Sequence, residues 1–215
     1  MKIADSVLAA HLRNVLWIGG GAYGGKTTVT DLLADKRGFT AYHPEDYFHQ
    51  HKDMCSYQDH PAMLRPFLGW EWFFNRPIDE YSAAILETDR EHFEWVIVDL
   101  VKMSQHATVV VDGHMLDPAF LMRIAPRDNV IFLFADGPTI REGFFAREDK
   151  HDLLGVINSL QNPEGTRKHV LEVACEVSAR KLERVRVSGL KYILRSGDSS
   201  AEDTLLQVEE HFGLH

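Results

Sequence analysis

A cluster of glycines near the start of the chain constrains its fold more than any other feature. Five of the seven residues from 19 to 25 are glycine, between the apolar run Val15–Ile18 and a helical pattern that starts at Lys26. Glycine loses more backbone entropy on folding than any other residue, so such a cluster is costly unless the backbone must do something that a side chain would block. We therefore expect a strand–loop–helix turn whose backbone approaches a ligand.

The cluster also carries a spaced motif. Residues 20–27 read Gly-Gly-Ala-Tyr-Gly-Gly-Lys-Thr and fit the pattern G-x-x-x-x-G-K-[ST], in which backbone N–H groups surround a phosphate. Lys26 would reach the β- and γ-phosphate oxygens of ATP, and the Thr27 hydroxyl would bind Mg²⁺. The predicted nucleotide-binding residues are Gly20, Gly21, Ala22, Tyr23, Gly24, Gly25, Lys26, Thr27 and Thr28. The alternative is a glycine-rich turn that binds nothing.

Short β-branched runs alternate with helical patterns along the chain. Strands are predicted at 15–18, 39–43, 108–111, 130–134 and 190–194, and helices at 3–12, 26–36, 117–125, 138–148, 166–186 and 201–212, with long helical material over 61–106. This alternation predicts an α/β fold with a five-stranded parallel sheet and helices on both faces, in a single domain over 1–215. Ligands bind at the carboxyl ends of the strands in such sheets.

The Gly-Lys-Thr-Thr end of the loop resembles the P-loop of the nucleoside kinase-like branch of the P-loop kinases, notably uridine kinase and nicotinamide riboside kinase. The resemblance implies a three-layer fold like that of the P-loop nucleoside triphosphate hydrolases. Tyr23 departs from the pattern, because a small residue is usual at that place. The backbone cradle itself needs no particular side chain there.

An acidic pair follows the second predicted strand. In the kinases that this chain resembles, an Asp followed by two aromatic residues lies beside the P-loop, and Asp46 with Tyr47 and Phe48 matches that arrangement. The resemblance implies that Asp46 accepts the proton of the acceptor hydroxyl, with the two aromatic residues as pocket walls. Glu45 is the rival base. Alternatively, Asp46 caps a short helix or turn and the aromatic residues belong to the core.

A second aspartate ends the third predicted strand. Val109–Val111 is an apolar run, and Asp112 follows it directly. An Asp at the carboxyl end of a buried strand is the Walker B arrangement, which holds a Mg²⁺-bound water. Thr27 and Asp112 are therefore the predicted metal-binding residues. An Asp-Gly turn at a strand end is common by itself, and the P-loop upstream makes the functional interpretation the stronger one.

A lid is predicted at 141–168, because the resembling kinases close arginines over the phosphates after the fourth strand. Arg147 and Arg141 are the candidates, in that order, for neutralising charge during transfer. Ion pairs with Glu142, Glu148 and Asp149 would explain both arginines equally well. The basic residues between 164 and 191, which include Lys181, are interpreted mostly as a solvated helix face.

The charge balance limits the partners. Lys plus Arg number 23 and Asp plus Glu 32, a net charge of −9, which argues against a broad nucleic-acid surface. No apolar run approaches the length of a membrane span, so no membrane partner is expected. Two widely spaced cysteines are interpreted as reduced thiols of a cytoplasmic protein. The sequence does not set the oligomeric state, and a homodimer stays open.

Together these residues predict an ATP-dependent phosphotransferase whose acceptor is a hydroxyl of a small molecule, with a nucleoside as the leading class. A nucleoside monophosphate kinase is a variant that would need arginines for the acceptor phosphate, and Arg65 and Arg76 are the nearby candidates. A nucleotide-binding ATPase or regulatory protein without an acceptor is the other alternative. A GTPase switch would need an Asn-Lys-x-Asp motif, which the sequence lacks.

Overall fold

The computed structural model describes residues 3–147, 150–196 and 199–214. The strands are β1 (Val15–Gly20), β2 (Thr40–Tyr42), β3 (Val109–Asp112), β4 (Val130–Ala135) and β5 (Lys191–Arg195). The α-helices are α1 (Asp5–His11), α2 (Lys26–Arg37), α3 (Phe48–Asp53), α4 (Trp70–Phe74), α5 (Ile78–Met103), α6 (Pro118–Ile124), α7 (Gly137–Gly143), α8 (His151–Asn158), α9 (Pro163–Ser188) and α10 (Ala201–His211). Short 3₁₀ turns cover Pro44–Tyr47, Arg127–Asn129 and Phe144–Ala146.

The sheet confirms the predicted five parallel strands. Their order is β2-β3-β1-β4-β5, and every neighbouring pair is parallel. β1 is central and lies beside β3 in a register that pairs Ile18 with Asp112. Because parallel strands end at the same edge, this register brings the start of the glycine loop next to the Asp112 carboxylate.

Helices cover both faces of the sheet, as predicted. Alternate residues of a strand point to opposite faces, so Val15 and Trp17 pack into one core and Leu16 and Ile18 into the other. The first core is completed by residues of α5, α6 and α9, and the second by residues of α2 and α10. A smaller apolar cluster joins α4, α8 and α9 at the edge of the molecule.

The segment 61–106 differs from its prediction in part. The stretch from Phe93 to Leu100 is helical, as its apolar spacing predicted, within the long helix α5. Residues 61–69 are not helical, because Pro61 and Pro66 interrupt the backbone hydrogen-bond ladder. The N–H groups of residues 62 and 63 instead donate to the buried carboxylate of Glu91, at 3.1 and 2.8 Å.

Two helices were not predicted, α3 and α8, and each is only six to eight residues long. The helix predicted at 138–148 ends at Gly143 and continues as a 3₁₀ turn, while residue 148 lies outside the described residues. Over the ranges given above, each helix falls short of the length or the apolar character that crossing a membrane requires.

Candidate functional site

The glycine loop lies against β4 so closely that side chains would not fit. A Cβ atom at Gly20 or at Gly24 would collide with the backbone carbonyl of Leu133. The N–H of Gly21 donates to that carbonyl at 3.1 Å, which fixes the start of the loop on the sheet. The glycines are thus required by a close backbone approach.

Helix α2 begins directly after this loop. Its N-cap is Gly25 in a left-handed conformation, and no side chain caps the first turn. The first N–H groups of a helix lack partners within the helix and carry partial positive charge, so an uncapped first turn suits a phosphate. The loop and the helix start together fit the triphosphate of a nucleotide.

Lys26 lies inside this turn, with its Nζ atom donating to the Gly21 carbonyl at 2.8 Å. Burial lowers the pKa of the Lys26 ammonium, against the opposing effect of the carboxylates of Glu45 and Asp112. The hydrogen bond to Gly21 holds the lysine ammonium beside the backbone of the loop.

Thr27 and Asp112, the two predicted metal-binding residues, are in direct contact. The Thr27 hydroxyl donates to Asp112 Oδ2 at 2.8 Å, and Asp112 is 4% exposed. A hydroxyl beside a carboxylate is a set of hard oxygen ligands, which fits Mg²⁺ with its remaining positions taken by water and phosphate. The sequence separation of the two residues is 85, so the contact depends on the β1–β3 register.

His43 joins the same carboxylate from the end of β2. Its Nδ1 lies 2.5 Å from Asp112 Oδ1, and its Nε2 lies 3.0 Å from Asp31 Oδ1. The hydrogen bond to Asp112 raises the pKa of His43 to about 9, with burial acting in the opposite direction. The histidine is therefore a cation at neutral pH in this arrangement, and it neutralises part of the charge on Asp112.

A second charged network faces the loop. Glu45 Oε1 lies 3.6 Å from His114 Nε2, and His114 Nδ1 lies 2.8 Å from Asp89 Oδ1. Lys181 Nζ donates to Asp89 Oδ2 at 2.6 Å and to the His114 carbonyl at 2.7 Å. These four residues come from the turn after β2, the turn after β3, α5 and α9.

The two carboxylates of this network are held as anions. Burial by itself would raise the pKa of Asp89, but His114 and Lys181 outweigh it and the pKa lies far below its usual range. Burial also acts to raise the pKa of Glu45, and the charges of His114, Lys26 and Lys150 together lower it. The Glu45 side chain keeps 55% of its surface exposed, so it stays accessible to a bound molecule.

A cavity of about 350 Å³ joins the loop to this network. Its charged and loop residues are Gly21, Ala22, Tyr23, Lys26, Glu45, His114, Arg147, Lys150 and Lys181. Most of the remaining wall is aromatic or aliphatic and comes from α4, α5, α8, α9 and the turn Phe144–Ala146, including Phe73 and Tyr81. The glycine loop, a carboxylate and several cations thus line one open cavity.

The predicted residues divide into those that reach this cavity and those that do not. Asp46 is exposed and does not line it, and its N–H donates to the His43 carbonyl at 3.1 Å. Arg147 lines the cavity, whereas the Arg141 guanidinium lies over Gly137 at the start of α7. Thr28 is exposed on the first turn of α2. The proposed ion-pair partners at 148 and 149 lie outside the described residues.

Lys181 and Ser178 are functional candidates that the sequence analysis missed. The Ala22 N–H donates to Ser178 Oγ at 3.0 Å, which ties α9 to the loop. The Lys181 side chain is only 11% exposed, so it does not belong to the solvated face predicted for this segment. The sequence did indicate that Lys181 faces the protein interior, because it lies on the same helix face as Val177 and Val185, four residues from each.

Tyr23 has a structural role that the motif does not predict. It has a left-handed backbone with φ of 57°, which is uncommon for an aromatic residue. Its ring lies against Gly143 at the end of α7, and a Cβ atom at that glycine would collide with the ring. Tyr23 therefore packs the loop against the segment that was predicted to be the lid.

Comparisons with known proteins bear on the fold. No protein-family model matches the chain, and no curated protein matches its sequence. The structure of shikimate kinase from Acinetobacter baumannii in complex with shikimate aligns over 94% of this chain and 94% of its own, at 15% identity and a TM-score of 0.50. An uncharacterized protein from Eubacterium ventriosum aligns over 94% and 98%, at 12% identity and a TM-score of 0.42.

At these identities the likeness concerns the fold alone. The match to shikimate kinase extends over nearly the whole of both chains, including the sheet and the helices on both faces. The narrower resemblance to uridine kinase and nicotinamide riboside kinase is not supported by these structures. The chain has the five-stranded α/β fold of the P-loop kinases.

Proposed function

We propose that this protein is an ATP-dependent phosphotransferase that moves the γ-phosphate of ATP to a hydroxyl group of a small molecule. One observation carries the proposal: the P-loop lysine and the Glu45 carboxylate line the same cavity of about 350 Å³. A protein that only binds nucleotide has no need of a carboxylate in the cavity beside its P-loop. A kinase needs one to orient the acceptor and to take its proton.

The donor side requires Lys26, Thr27 and Asp112. Lys26 binds the β- and γ-phosphate oxygens, and the backbone N–H groups of the loop surround the β-phosphate. Thr27 and Asp112 would hold Mg²⁺, because their oxygens are 2.8 Å apart and the carboxylate is buried. The metal, when bound, reduces the negative charge on the transferred phosphoryl group.

On the acceptor side, we propose Glu45 as the base. Its carboxylate lines the cavity, and the cationic network of His114 and Lys26 keeps it ionised. An ionised carboxylate accepts a hydrogen bond from the acceptor hydroxyl and then its proton as the new P–O bond forms. Asp46 remains the base that the motif resemblance implies. Substituting each acid in turn distinguishes the two candidates.

Charge on the transferred group would be neutralised by Arg147 and Lys181. Both line the cavity, on the segment after α7 and on α9 respectively. Cations placed around the equatorial oxygens stabilise the transition state more than the ground state. Arg141 lies outside the cavity, so it would act only after a movement of α7.

The class of small molecule that carries the acceptor hydroxyl is a separate question from the reaction type. The proposal of a nucleoside depends on the resemblance of the P-loop to nucleoside kinases. The aromatic residues Phe73 and Tyr81 in the cavity wall support it, because they would stack on a base.

ADP release tests the kinase proposal, measured with ATP and Mg²⁺ against panels of nucleosides, nucleoside monophosphates, sugars and hydroxy acids. At least one acceptor should raise ADP release well above the water background. Release that stays at background with every acceptor would favour a nucleotide-binding regulatory protein instead.

A further inference from the structure

A second cleft, of about 440 Å³, continues from the P-loop cavity. The two spaces share Phe73, Tyr81, Ile85 and His114 in their walls. The second cleft lies between α5 and the segment 62–76, and most of its lining is aromatic or aliphatic. A molecule with one end at Glu45 and His114 would extend into this cleft.

One buried cation lines the cleft, Arg76. The residue is 6% exposed, and its guanidinium lies over three aromatic rings: Trp72 at 4.8 Å, Phe73 at 4.9 Å and Tyr81 at 4.4 Å from the ring centres. A guanidinium has five N–H donors. Nε donates to the Phe73 carbonyl at 3.1 Å, and among the described residues neither terminal nitrogen has a hydrogen-bond partner.

Arg76 also lacks a counter-ion in the described part of the chain. No described carboxylate lies within ion-pair distance, and Glu80 acts on it only from farther away. Arg65, which lines the same cleft, is the contrast: its Nη2 donates to Glu87 at 2.6 Å. The two arginines share a cleft, but only Arg65 already has an acidic partner.

The position of Arg76 is fixed by its surroundings. Its carbonyl lies 2.7 Å from His169 Nε2 on α9, and Thr166 Oγ1 lies 3.3 Å from the neighbouring Asn75 side chain. Pro77 follows it directly and is the N-cap of α5. The backbone is therefore anchored on both sides of the arginine, and the guanidinium is held at the cleft wall.

Such a group is costly unless something compensates it. Removing an ion from water without an opposite charge is unfavourable, and aromatic faces compensate only in part. Arginine stays protonated even when burial lowers its pKa, so it does not escape the cost by losing its proton. A cation held rigidly at the wall of a cleft, with donors unused, is suited to a two-pronged bond with an anion.

We propose that this cleft binds an anionic group of the acceptor, a carboxylate or a phosphate, and that Arg76 is the residue that selects it. The inference deepens the proposed function, on which it rests: the acceptor is a hydroxyl compound that carries its negative group at the end remote from the reacting hydroxyl. Neutral nucleosides and neutral sugars lack that group, so they are poor acceptors, and the inference departs here from the nucleoside that the P-loop resemblance implies.

Matched acceptor pairs test the selection. The pairs are glycerate and glycerol, gluconate and glucose, ribose 5-phosphate and ribose, and glycerol 3-phosphate and glycerol. The anionic member of at least one pair should give the higher kcat/KM. The carboxylate pairs and the phosphate pairs then distinguish the two sources of negative charge.

Variants at Arg76 then assign the effect. R76Q should lower kcat/KM for the anionic member by about 10–100-fold, the loss expected for a charge-assisted hydrogen bond, and leave the neutral member unchanged. R76K keeps the charge without the two-pronged geometry, so it should retain part of the activity. Partial activity in R76K would show that the loss in R76Q comes from the missing charge and not from misfolding. R123Q, at an exposed arginine paired with Asp5 on α1, is the control and should behave as wild type.

A binding measurement separates this inference from the kinase proposal. Isothermal calorimetry with the same four anionic compounds, without ATP, should detect binding by the wild type and lose it in R76Q. Binding without any turnover would support the anion site and contradict the kinase. Turnover of neutral and anionic members at equal kcat/KM, with R76Q equal to wild type, would overturn the anion site and leave the kinase standing.

Discussion

The P-loop side of the cavity is built from residues that are adjacent in the chain, whereas the acceptor side is built from four separate elements. Residues 20–27 form the first by their backbone, held by long-range contacts to Leu133, Ser178 and Asp112. Glu45, His114, Asp89 and Lys181 form the second by their side chains. A backbone site depends on glycines and one register, while a side-chain site depends on the packing of several helices.

This difference has consequences for mutation. A backbone site tolerates most side-chain changes, except at the few residues that carry charge or a required glycine. A side-chain network transmits each change, because every member sets the charge state of its neighbours. The predictions below test the contrast, from the largest expected effect to the smallest.

Replacing the one charged side chain of the P-loop should have the largest effect. Lys26→Ala should lower kcat by at least about 1,000-fold, because it removes the cation that neutralises the β- and γ-phosphate oxygens. Steady-state ADP release checks this. Lys102→Ala is the matched control, since the Lys102 side chain is 72% exposed on the last turn of α5. A Lys26 variant that retains wild-type kcat would contradict the phosphate-binding role.

The acceptor base is tested by a pair of isosteric changes. Glu45→Gln should lower kcat by about 100-fold or more, because the amide accepts no proton, while Asp46→Asn should leave kcat within about threefold. ATP affinity should stay near wild type in both variants, measured by calorimetry. The opposite result, with loss only in Asp46→Asn, would restore the base implied by the motif and remove Glu45 from the mechanism.

Low pH should weaken the fold through His92, a buried histidine of α5. Burial, together with the nearby His51 and His114, lowers the pKa of His92 to about 4 from an ordinary value of 6.5. The unfolded chain therefore binds this proton first as pH falls, so the free energy of unfolding should drop by about 2–3 kcal/mol between pH 6.5 and 4. Urea denaturation at a series of pH values measures it.

Substitutions assign that pH dependence to the residue. His92→Gln keeps a hydrogen-bonding group beside His51 Nδ1, which lies 3.0 Å away, but has no titrating ring. The drop should become smaller in this variant. His106→Gln, at an exposed histidine, should keep the wild-type profile. Equal profiles in all three proteins would contradict the buried, neutral state of His92.

The smallest effect concerns the contact between the P-loop and α7. Gly143→Ala places a methyl group where the Tyr23 ring lies, and it should lower the free energy of unfolding by about 1–3 kcal/mol. Gly155→Ala is the matched control, because nothing lies near that position on α8 and alanine is the better helix former. Thermal denaturation compares them. Equal stability of the two variants would mean that the Tyr23 contact contributes little.

The residues proposed for the donor side could be recognised as a group because their pattern is one of local spacing. A strand, a glycine cluster and Lys26-Thr27 define the cradle without knowledge of the rest of the chain. Placing Asp112 beside the loop also required a predicted strand, and the apolar run Val109–Val111 before it indicated that strand. The acceptor residues follow no spacing. Lys181 was assigned to a solvated face because six other basic residues surround it in the sequence, and only the apolar stripe around it indicated otherwise.

The choice between Glu45 and Asp46 illustrates what spacing leaves open. Both lie on the 3₁₀ turn Pro44–Tyr47, which has about three residues per turn, so adjacent side chains point in directions about 120° apart. Both side chains are exposed, but only that of Glu45 lines the cavity. A sequence with two neighbouring acids does not state which one faces the ligand, because the orientation of the turn is set by the elements that pack against it.

By itself, the sequence determined the glycine loop between a strand and a helix, the five parallel strands and the aspartate at the end of β3, since each is encoded by residue type and period over a short stretch. Only the tertiary structure decided which acid faces the loop, that Lys181 is buried and that Tyr23 packs on Gly143. It also brought Arg76 to the wall of a cleft. The physical reason is that burial and side-chain direction depend on contacts between elements that are distant in the chain.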